Sequence, residues 1–330
     1  MTLFLSRRDL LHWAALVPLA SARNSRAATA PGTAGGIAAE PIDGSAIRVI
    51  SDLAGAESPC VLPDGGIVTV EFQKGQVVRV REDGRKTVLG EFGPAPVGTA
   101  LGPDGKVYVV KLNPALVAKG QAAARGAGGA SGTGGAARGP EPVDSPGGVI
   151  RIDVDTAQSE WLYTEHQGKR LAGPDDIVFD RWGDFWFTDF GDFCIYRCTT
   201  DGRTIERVAD VPGINGLTLS PDGARLYVMN ARRFGYYAIG GRGALAKKDG
   251  MPEFHALADW PMGWAEPDGM KTEAGGNVVM GCRNDGLIVY SPEGRLVSQT
   301  RLPPYQPINM AFGGKDLRTL YVAAGVAGMP

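Results

Sequence analysis

The apolar and polar positions of this chain repeat as short runs of β-branched and aromatic residues, joined in pairs by a tight turn. Each copy has an apolar run, then Pro-Asp-Gly or a close variant, then a second apolar run of strand length. The copies begin at Cys60, Thr99, Ile177 and Leu217, with weaker ones at Met270 and Met310. The turn glycine accepts a positive φ and the aspartate can hydrogen-bond the turn backbone, so each copy predicts a β-hairpin.

The spacing of the hairpins predicts the architecture. The turn glycines are Gly65, Gly105, Gly183, Gly223, Gly276 and Gly314. Repeats of about 40 residues, each worth one small sheet, are typical of a propeller whose blades bury their faces against one another. We therefore predict an all-β fold, a six-bladed β-propeller over residues 44–330. A strand at residues 47–53 would close the ring beside residues 317–324 and so remove an exposed sheet edge.

One interval between turns is wide, because residues 114–147 are low-complexity Gly/Ala sequence. Such a segment has too little apolar surface to offset its ordering entropy. We predict that it is a disordered loop inserted in the second blade, between residues 108–112 and 148–154.

The beginning of the chain has the order of an export signal. Arg7 and Arg8 precede an apolar stretch at 13–20, and small-residue cleavage sites follow at 20–22 and 28–30. We predict a twin-arginine signal over residues 1–30 and a flexible linker over 31–43, with an ordinary secretory signal or an uncleaved anchor as alternatives. The apolar stretch is too short to span a bilayer, so no membrane span is expected after processing. The twin-arginine machinery would then deliver the protein to a bacterial periplasm or beyond the cell.

The charge argues against nucleic-acid binding, and the cysteines and histidines argue against disulfides and a zinc site. The formal net charge is −2 and no basic stripe is present, so nucleic acid is not an expected partner. Cys194 and Cys198 lie four residues apart on one predicted strand, on the same face but too far apart for a comfortable disulfide. Cys60 and Cys282 could pair only if their blades were neighbours, and buried free thiols are the prediction for all four. The three histidines offer no second pair of zinc ligands.

Polar residues at the entrances of the predicted inner strands are the candidate chemistry. The polar entrances contain Glu57, Asp175-Asp176, Asn215-Gly216 and Asp268-Gly269. Inner strands line the channel of a propeller, so these side chains should converge. Asn-Gly and Asp-Gly are also common hairpin turns, but a turn at a strand entrance is redundant when the hairpin turn follows about eight residues later. Carboxylates and an amide are oxygen donors that suit a hard divalent cation such as Ca²⁺ or Mg²⁺.

The chain resembles the SMP-30/gluconolactonase/LRE-like (regucalcin-type) family of six-bladed propellers. The similarity is carried by AESPCVLPDGGIVTVE, GPDDIVFDRWGDFWFTD, INGLTLSPDGARLYVMN, EPDGMKTEAGGNVV and QPINMAFGGKDLRTLYV. The resemblance implies that Glu57, Asn215 and Asp268 hold the metal. Three positions depart from the family pattern: Asp175 replaces the usual Asn, Ser58 follows Glu57 in place of Gly, and Gly173 stands where an Arg that contacts sugar acids is often found.

The resemblance implies a metal-dependent hydrolase of lactones or sugar-acid esters, with Asp268 or Asp175 taking the proton from the attacking water. Ca²⁺ is the expected ion, with Mg²⁺, Mn²⁺ and Zn²⁺ as alternatives. Asp175, Asp176 and Trp264 are further candidates for substrate contacts. No Gly-x-Ser-x-Gly occurs, which argues against a serine triad. The alternative function is a non-catalytic propeller that binds a ligand or a protein and holds a structural cation.

Overall fold

The computed structural model describes residues 53–126, 143–260 and 267–326, together with three short strands before residue 53. Its described part is mostly β-strand, arranged as a β-propeller, which confirms the all-β prediction. None of the described helices has the length and hydropathy of a membrane-spanning segment.

The strands are numbered in chain order. The first three are β1 (Thr2–Ser6), β2 (Glu40–Pro41) and β3 (Arg48–Ser51). The first blade contains β4 (Ala56–Val61), β5 (Ile67–Glu71), β6 (Gln76–Val80) and β7 (Lys86–Glu91). The second contains β8 (Pro96–Leu101), β9 (Val107–Lys111), β10 (Gly148–Ile152) and β11 (Ser159–Tyr163), with helix α1 (Pro114–Gly126) between β9 and β10.

A small hairpin, β12 (Glu165–His166) and β13 (Lys169–Arg170), leads to the third blade. That blade contains β14 (Pro174–Phe179), β15 (Phe185–Asp189), β16 (Cys194–Cys198) and β17 (Ile205–Asp210). The fourth begins with β18 (Ile214–Leu219), β19 (Arg225–Asn230) and β20 (Arg233–Ala238). A single 3₁₀ turn (Gly241–Gly243) and the hairpin β21 (Lys247–Lys248) and β22 (Met251–Pro252) precede its outer strand β23 (Phe254–Asp259).

The fifth blade contains β24 (Met270–Thr272), β25 (Val278–Cys282), β26 (Gly286–Tyr290) and β27 (Leu296–Arg301), and β2 pairs with its outer edge. The chain continues as β28 (Tyr305–Gly313) and β29 (Thr319–Val326). These two strands share the last sheet with β1 and β3, in the order β28-β29-β1-β3.

This order corrects the predicted ring closure. The strand expected beside β29, here β3, does belong to its sheet, but β1 lies between them and pairs antiparallel with both. The edge of β29 is taken by Thr2–Ser6, a run of apolar and β-forming residues within the stretch predicted as an export signal. Residues 7–39, which hold the remainder of that signal, lie outside the described residues.

The predicted insertion lies at the predicted place, since β9 and β10 are paired neighbours on either side of it. Its first part is helix α1 and not the expected disordered loop. Alanine, leucine and glutamine favour helix, and Asn113 supplies an N-cap because its Oδ1 accepts a hydrogen bond from the amide of Leu116 at 3.2 Å. Residues 127–142 of the insertion lie outside the described residues.

The core consists of apolar layers between successive sheets. Strand β15 shows the arrangement: Phe185 and Phe187 pack towards the second blade, whereas Trp186 packs towards the fourth. Side chains of a strand alternate between its faces, so a strand buried on both faces is apolar at every position. This alternation explains the continuous aromatic run that follows the third turn. The four cysteines are also buried in these layers, and none of them forms a disulfide, as predicted.

The inner strands meet closely around the channel. A Cβ atom added to Gly216 would lie 2.5 Å from the carbonyl oxygen of Asp268 in the next blade. Gly216 is inside β18 and does not have a positive φ, so the Asn-Gly pair is not a turn. Its glycine is required by the approach of two backbones.

We therefore expect Gly216→Ala to lower the free energy of unfolding by about 1–3 kcal/mol, because the backbone of the fifth blade must move to admit the methyl group. Gly275→Ala is the matched control, since no atom lies within 4 Å of its added Cβ. It should change stability by about 0.5 kcal/mol or less. Thermal or urea unfolding measures both, and equal losses would show that the close approach does not constrain the fold.

Candidate active site

Three of the four polar entrances predicted from the sequence coincide with an irregularity of an inner strand. In β14, Pro174 faces Asp189 and Ile177 faces Phe187, so the inner strand carries one residue more than its partner. The same shift occurs after Glu57 in β4 and after Ile214 in β18. A β-bulge of this kind re-aims side chains away from the regular alternation. The bulges release Glu57, Asp175 and Asn215 from the packed faces of their blades.

Asp268 lies at the corresponding place in the fifth blade. Its amide donates to the carbonyl oxygen of Gly281 at 2.8 Å, and the amide of Gly281 donates to Gly269 at 3.0 Å. These bonds fix the backbone of Asp268 against β25. Glu57, Asp175, Asn215 and Asp268 are all half-buried, so each keeps part of its surface accessible at this end of the channel.

The structure brings the predicted residues into electrostatic contact. Burial raises the pKa of Glu57 well above its usual value, and the negative charges of Asp268 and Asp175 raise it further. Burial also raises the pKa of Asp268, against the opposing charge of Arg283. Asn215 donates a hydrogen bond to the Asp268 carboxylate. Carboxylates from three blades therefore share one space, and the charged forms of Glu57 and Asp268 are disfavoured there.

Asp176, predicted as a substrate contact, lies one layer deeper and is 3% exposed. One of its carboxylate oxygens accepts a hydrogen bond from the amide of Leu217 at 3.3 Å. The other accepts hydrogen bonds from the Asn309 side chain at 3.4 Å and from its own neighbour Ile177 at 3.1 Å. Asp176 thus ties the third blade to the fourth and to the last sheet.

Two residues of this deeper layer had not been singled out from the sequence. Lys271 places its Nζ 3.3 Å from Asn309 Oδ1 and 3.7 Å from Asp176 Oδ1. The same Asn309 oxygen also accepts a hydrogen bond from the backbone amide of Met310 at 2.8 Å. Two features of the sequence could have identified these residues. Lys271 follows Asp268 by three residues, and Asn309 interrupts an apolar run. Asp176, Lys271 and Asn309 form a polar floor below the half-buried carboxylates.

Arg283 is the second cation that the sequence analysis missed. It follows β25, and its Nη2 donates to Asp268 Oδ2 at 3.0 Å. Its side chain is 50% exposed, against 20% for the side chain of Asp268. It therefore lies on the solvent side of Asp268, whereas Lys271 is 20% exposed and lies beside the buried Asp176.

Helix α1 packs against the third blade beside these entrances. A Cβ atom added to Gly173 would lie 2.4 Å from the amide nitrogen of Gly191 and 3.0 Å from a methyl carbon of Val117. No side chain fits at position 173, which explains in physical terms why the arginine often found there in similar sequences is absent.

The remaining predictions concern a metal and Trp264. Among the described residues, no three His, Cys, Asp or Glu side chains are arranged as ligands of one ion. The predicted metal ligands are the carboxylates of Glu57 and Asp268 and the side-chain oxygen of Asn215. Because one of the three is an amide, they do not form a group of three such residues. Trp264 lies outside the described residues.

The crowding of carboxylates predicts a pH dependence of stability in chelator-treated protein. Because the pKa of Glu57 is raised in the folded state, its contribution to stability is full below the ordinary glutamate pKa and is lost as the pH rises through the raised value. Glu57→Gln should remove this loss and raise the free energy of unfolding at neutral pH by about 1 kcal/mol or more. Unfolding measured across pH tests this. Glu206→Gln, at an exposed glutamate of β17, is the control, and a profile unchanged by Glu57→Gln would contradict the prediction.

Known proteins resemble this chain over most of the propeller. A family model described as the SMP-30/gluconolactonase/LRE-like region matches residues 55–325. A gluconolactonase of Zymomonas mobilis is 26% identical over 196 residues, which cover 53% of this chain and 54% of that protein. A 6-deoxy-6-sulfogluconolactonase of Pseudomonas putida is 27% identical over 186 residues, covering 54% of this chain and 62% of that protein. The chain thus spans little more than half the length of these curated relatives.

Solved structures confirm the fold. A gluconolactonase from Xanthomonas campestris superposes with a TM-score of 0.60 at 22% identity, covering 83% of this chain and 87% of that one. The family match extends over nearly all of the described propeller, from the first blade through the last sheet. The chain belongs to the SMP-30/gluconolactonase/LRE-like family.

Proposed function

We propose that this chain is a metal-dependent lactonase, a hydrolase of cyclic esters of sugar acids. The observation that carries the proposal is the convergence of Glu57, Asp175, Asn215 and Asp268, from the entrances of four blades, at one end of the channel. The gluconolactonase and sulfogluconolactonase relatives support the same reaction class.

The proposal includes six blades around a closed channel. Five blades follow one another along the chain from β4 to β27, and we assign the sheet β28-β29-β1-β3 as the sixth blade. Two observations support this assignment. Strand β28 packs beside both β24 and β4, and an apolar cluster that contains Ala56, Val80 and Ala323 joins the last sheet to the first blade. The last sheet thus connects the fifth blade with the first.

The donor set fits a divalent cation. Glu57, Asn215 and Asp268 offer only oxygen, which hard cations such as Ca²⁺ prefer, and we propose Ca²⁺ as the resident ion. Burial raises the pKa values of Glu57 and Asp268, and the negative charges of Asp268 and Asp175 raise that of Glu57 further, so the charged forms of both ligands are disfavoured in the folded chain. A bound cation would offset this by supplying positive charge.

The side chains have separable roles in ester hydrolysis. A divalent cation, when bound, supplies a positive charge that polarises an ester carbonyl and favours loss of a proton from water. We assign proton transfer to one of the two carboxylates predicted for this role, Asp268 or Asp175. This carboxylate takes a proton as the water oxygen bonds to the carbonyl carbon, and the proton goes to the alcohol oxygen when the ring C–O bond breaks. The floor of Asp176, Lys271 and Asn309 keeps the entrances at fixed separation.

Removing and restoring the metal tests this function. Chelator treatment should abolish hydrolysis of aldonolactones, and Ca²⁺, Mn²⁺ or Zn²⁺ should restore it. Asp268→Asn and Asn215→Ala should each weaken cation binding, measured by calorimetry, and lower kcat/KM by about a hundredfold or more. Asp259→Asn, at an exposed residue of β23, is the control and should leave both quantities unchanged.

Two outcomes would contradict the proposal. Full activity after complete metal removal would refute metal dependence. A protein that binds the cation but hydrolyses no lactone or aryl ester would instead be the non-catalytic propeller with a structural cation.

Export is the second part of the proposal. If residues 1–30 are removed as a twin-arginine signal, β1 leaves the last sheet, and β3 is the strand available to cover the edge of β29. The exported chain would then regain the closure expected from the sequence.

Replacing both Arg7 and Arg8 by lysine should keep the protein in the cytoplasm of a bacterium that has the twin-arginine pathway. Arg26→Lys, in the same stretch but after the apolar run, should not. Fractionation and N-terminal sequencing measure the result. Export of the double variant at the wild-type level would exclude this pathway.

A further inference from the structure

Arg283 differs from the other cation of the site in its freedom to change partners. Lys271 donates to the carbonyl oxygen of Met270 at 3.0 Å and to Asn309 at 3.3 Å, and its side chain is 20% exposed. Arg283 is half-exposed, and within the described part of the chain its one ion pair is with Asp268. The ammonium group of lysine has three N–H donors, and the contacts with Met270 and Asn309 engage those of Lys271 inside the channel. Arginine has five donors in a planar fork, and the bond to Asp268 uses one.

The bond between Arg283 and Asp268 competes with the proposed cation. Both need the same carboxylate, and a divalent cation close to that carboxylate repels the guanidinium. Half of the arginine side chain is in water, so solvent screens its attraction to Asp268 and lowers the cost of displacing it. Once the cation holds Asp268, the fork of Arg283 remains charged and half-exposed at the edge of the site.

The geometry of the vacated pair indicates what replaces Asp268. Arg283 already binds a carboxylate oxygen at 3.0 Å from Nη2, and a guanidinium fork matches planar or tetrahedral oxyanions with two parallel hydrogen bonds. Resting on the proposed function for the cation and the lactone, we infer that Arg283 is a specificity-determining residue. It binds an anionic substituent of the substrate, a carboxylate, sulfonate or phosphate carried in addition to the ester.

The first test measures cation binding without substrate. Arg283→Gln should bind Ca²⁺ about two- to tenfold more tightly than wild type by calorimetry, because the competing positive charge is gone. Arg318→Gln is the matched control. Arg318 is 58% exposed and pairs with Asp316 at 3.6 Å on the turn between β28 and β29, so its replacement should not change the affinity. Unchanged or weaker Ca²⁺ binding by Arg283→Gln would overturn the competition.

The second test measures selectivity. Gluconolactone is the neutral substrate, and glucarolactone, sulfogluconolactone and phosphogluconolactone carry the three anions. Arg283→Gln should lower the preference for an anionic over the neutral lactone by about ten- to a hundredfold, mainly through KM, since a hydrogen bond to a charged group is lost. Arg283→Lys should retain part of the preference. The anion with the largest loss identifies the substituent, and equal losses for neutral and anionic lactones would overturn the inference.

A third measurement separates this inference from the proposed function. If Ca²⁺-loaded protein hydrolyses no lactone, the lactonase proposal fails, but ligand binding still tests Arg283. Glucarate carries one carboxylate more than gluconate. Arg283→Gln should weaken glucarate binding to the Ca²⁺-loaded protein about tenfold more than gluconate binding, and equal weakening would refute the role of Arg283.

Discussion

The close approach of the inner strands around the channel is the constraint on which the site depends. At Gly216 an added Cβ would lie 2.5 Å from Asp268 O, and at Gly269 an added Cβ would lie 2.1 Å from the Asn309 side chain. With so little room on the axis, the polar side chains of the site project where a strand departs from regular pairing or, at Asp268, just before a strand begins. The bulges in β4, β14 and β18 provide those departures, and they lie where the polar residues occur. The packing that closes the channel therefore also selects the positions that carry chemistry.

Crowded carboxylates are the electrostatic consequence of this packing. Two cationic side chains, Lys271 and Arg283, partly offset the negative charge of these carboxylates, and they have different surroundings. Lys271 lies among Asp176, Asn309 and the Met270 carbonyl, a layer in which each buried polar group has a partner. Arg283 meets Asp268 at the solvent boundary. The inner compensation is part of the fold, whereas the outer one leaves the pKa values of Glu57 and Asp268 raised and the cluster still short of positive charge.

The sequence predicted those features that depend on a few neighbouring residues. The hairpin turns follow from single glycines, and Gly65 and Gly105 have the positive φ values that their turns require, 83° and 75°. The entrances followed from polar residues placed too early to be turns. Lys271 and Asn309 could not be found in this way, because their partner Asp176 is distant along the chain, 133 residues from Asn309, and reaches them only through the fold. Strand β1 illustrates the same limit, since its pairing with β29 joins the two ends of the described chain. Helix α1 was a different case: the helix propensity of its alanines was a local signal, but the low complexity of the segment suggested disorder.

The Lys271–Asp176 and Arg283–Asp268 contacts differ in burial. This difference explains why Arg283 can exchange its partner for a ligand and Lys271 cannot. Removing a partner from a buried, hydrogen-bonded charge leaves an uncompensated group and costs several kcal/mol. Asp176 is 3% exposed, so an ion or substrate that displaced Lys271 would have to offset that cost. The Arg283–Asp268 pair lies nearer the solvent, because half of the arginine side chain is already in water. Exchange of partners is therefore expected in the outer layer, where the proposed cation and Arg283 would share Asp268.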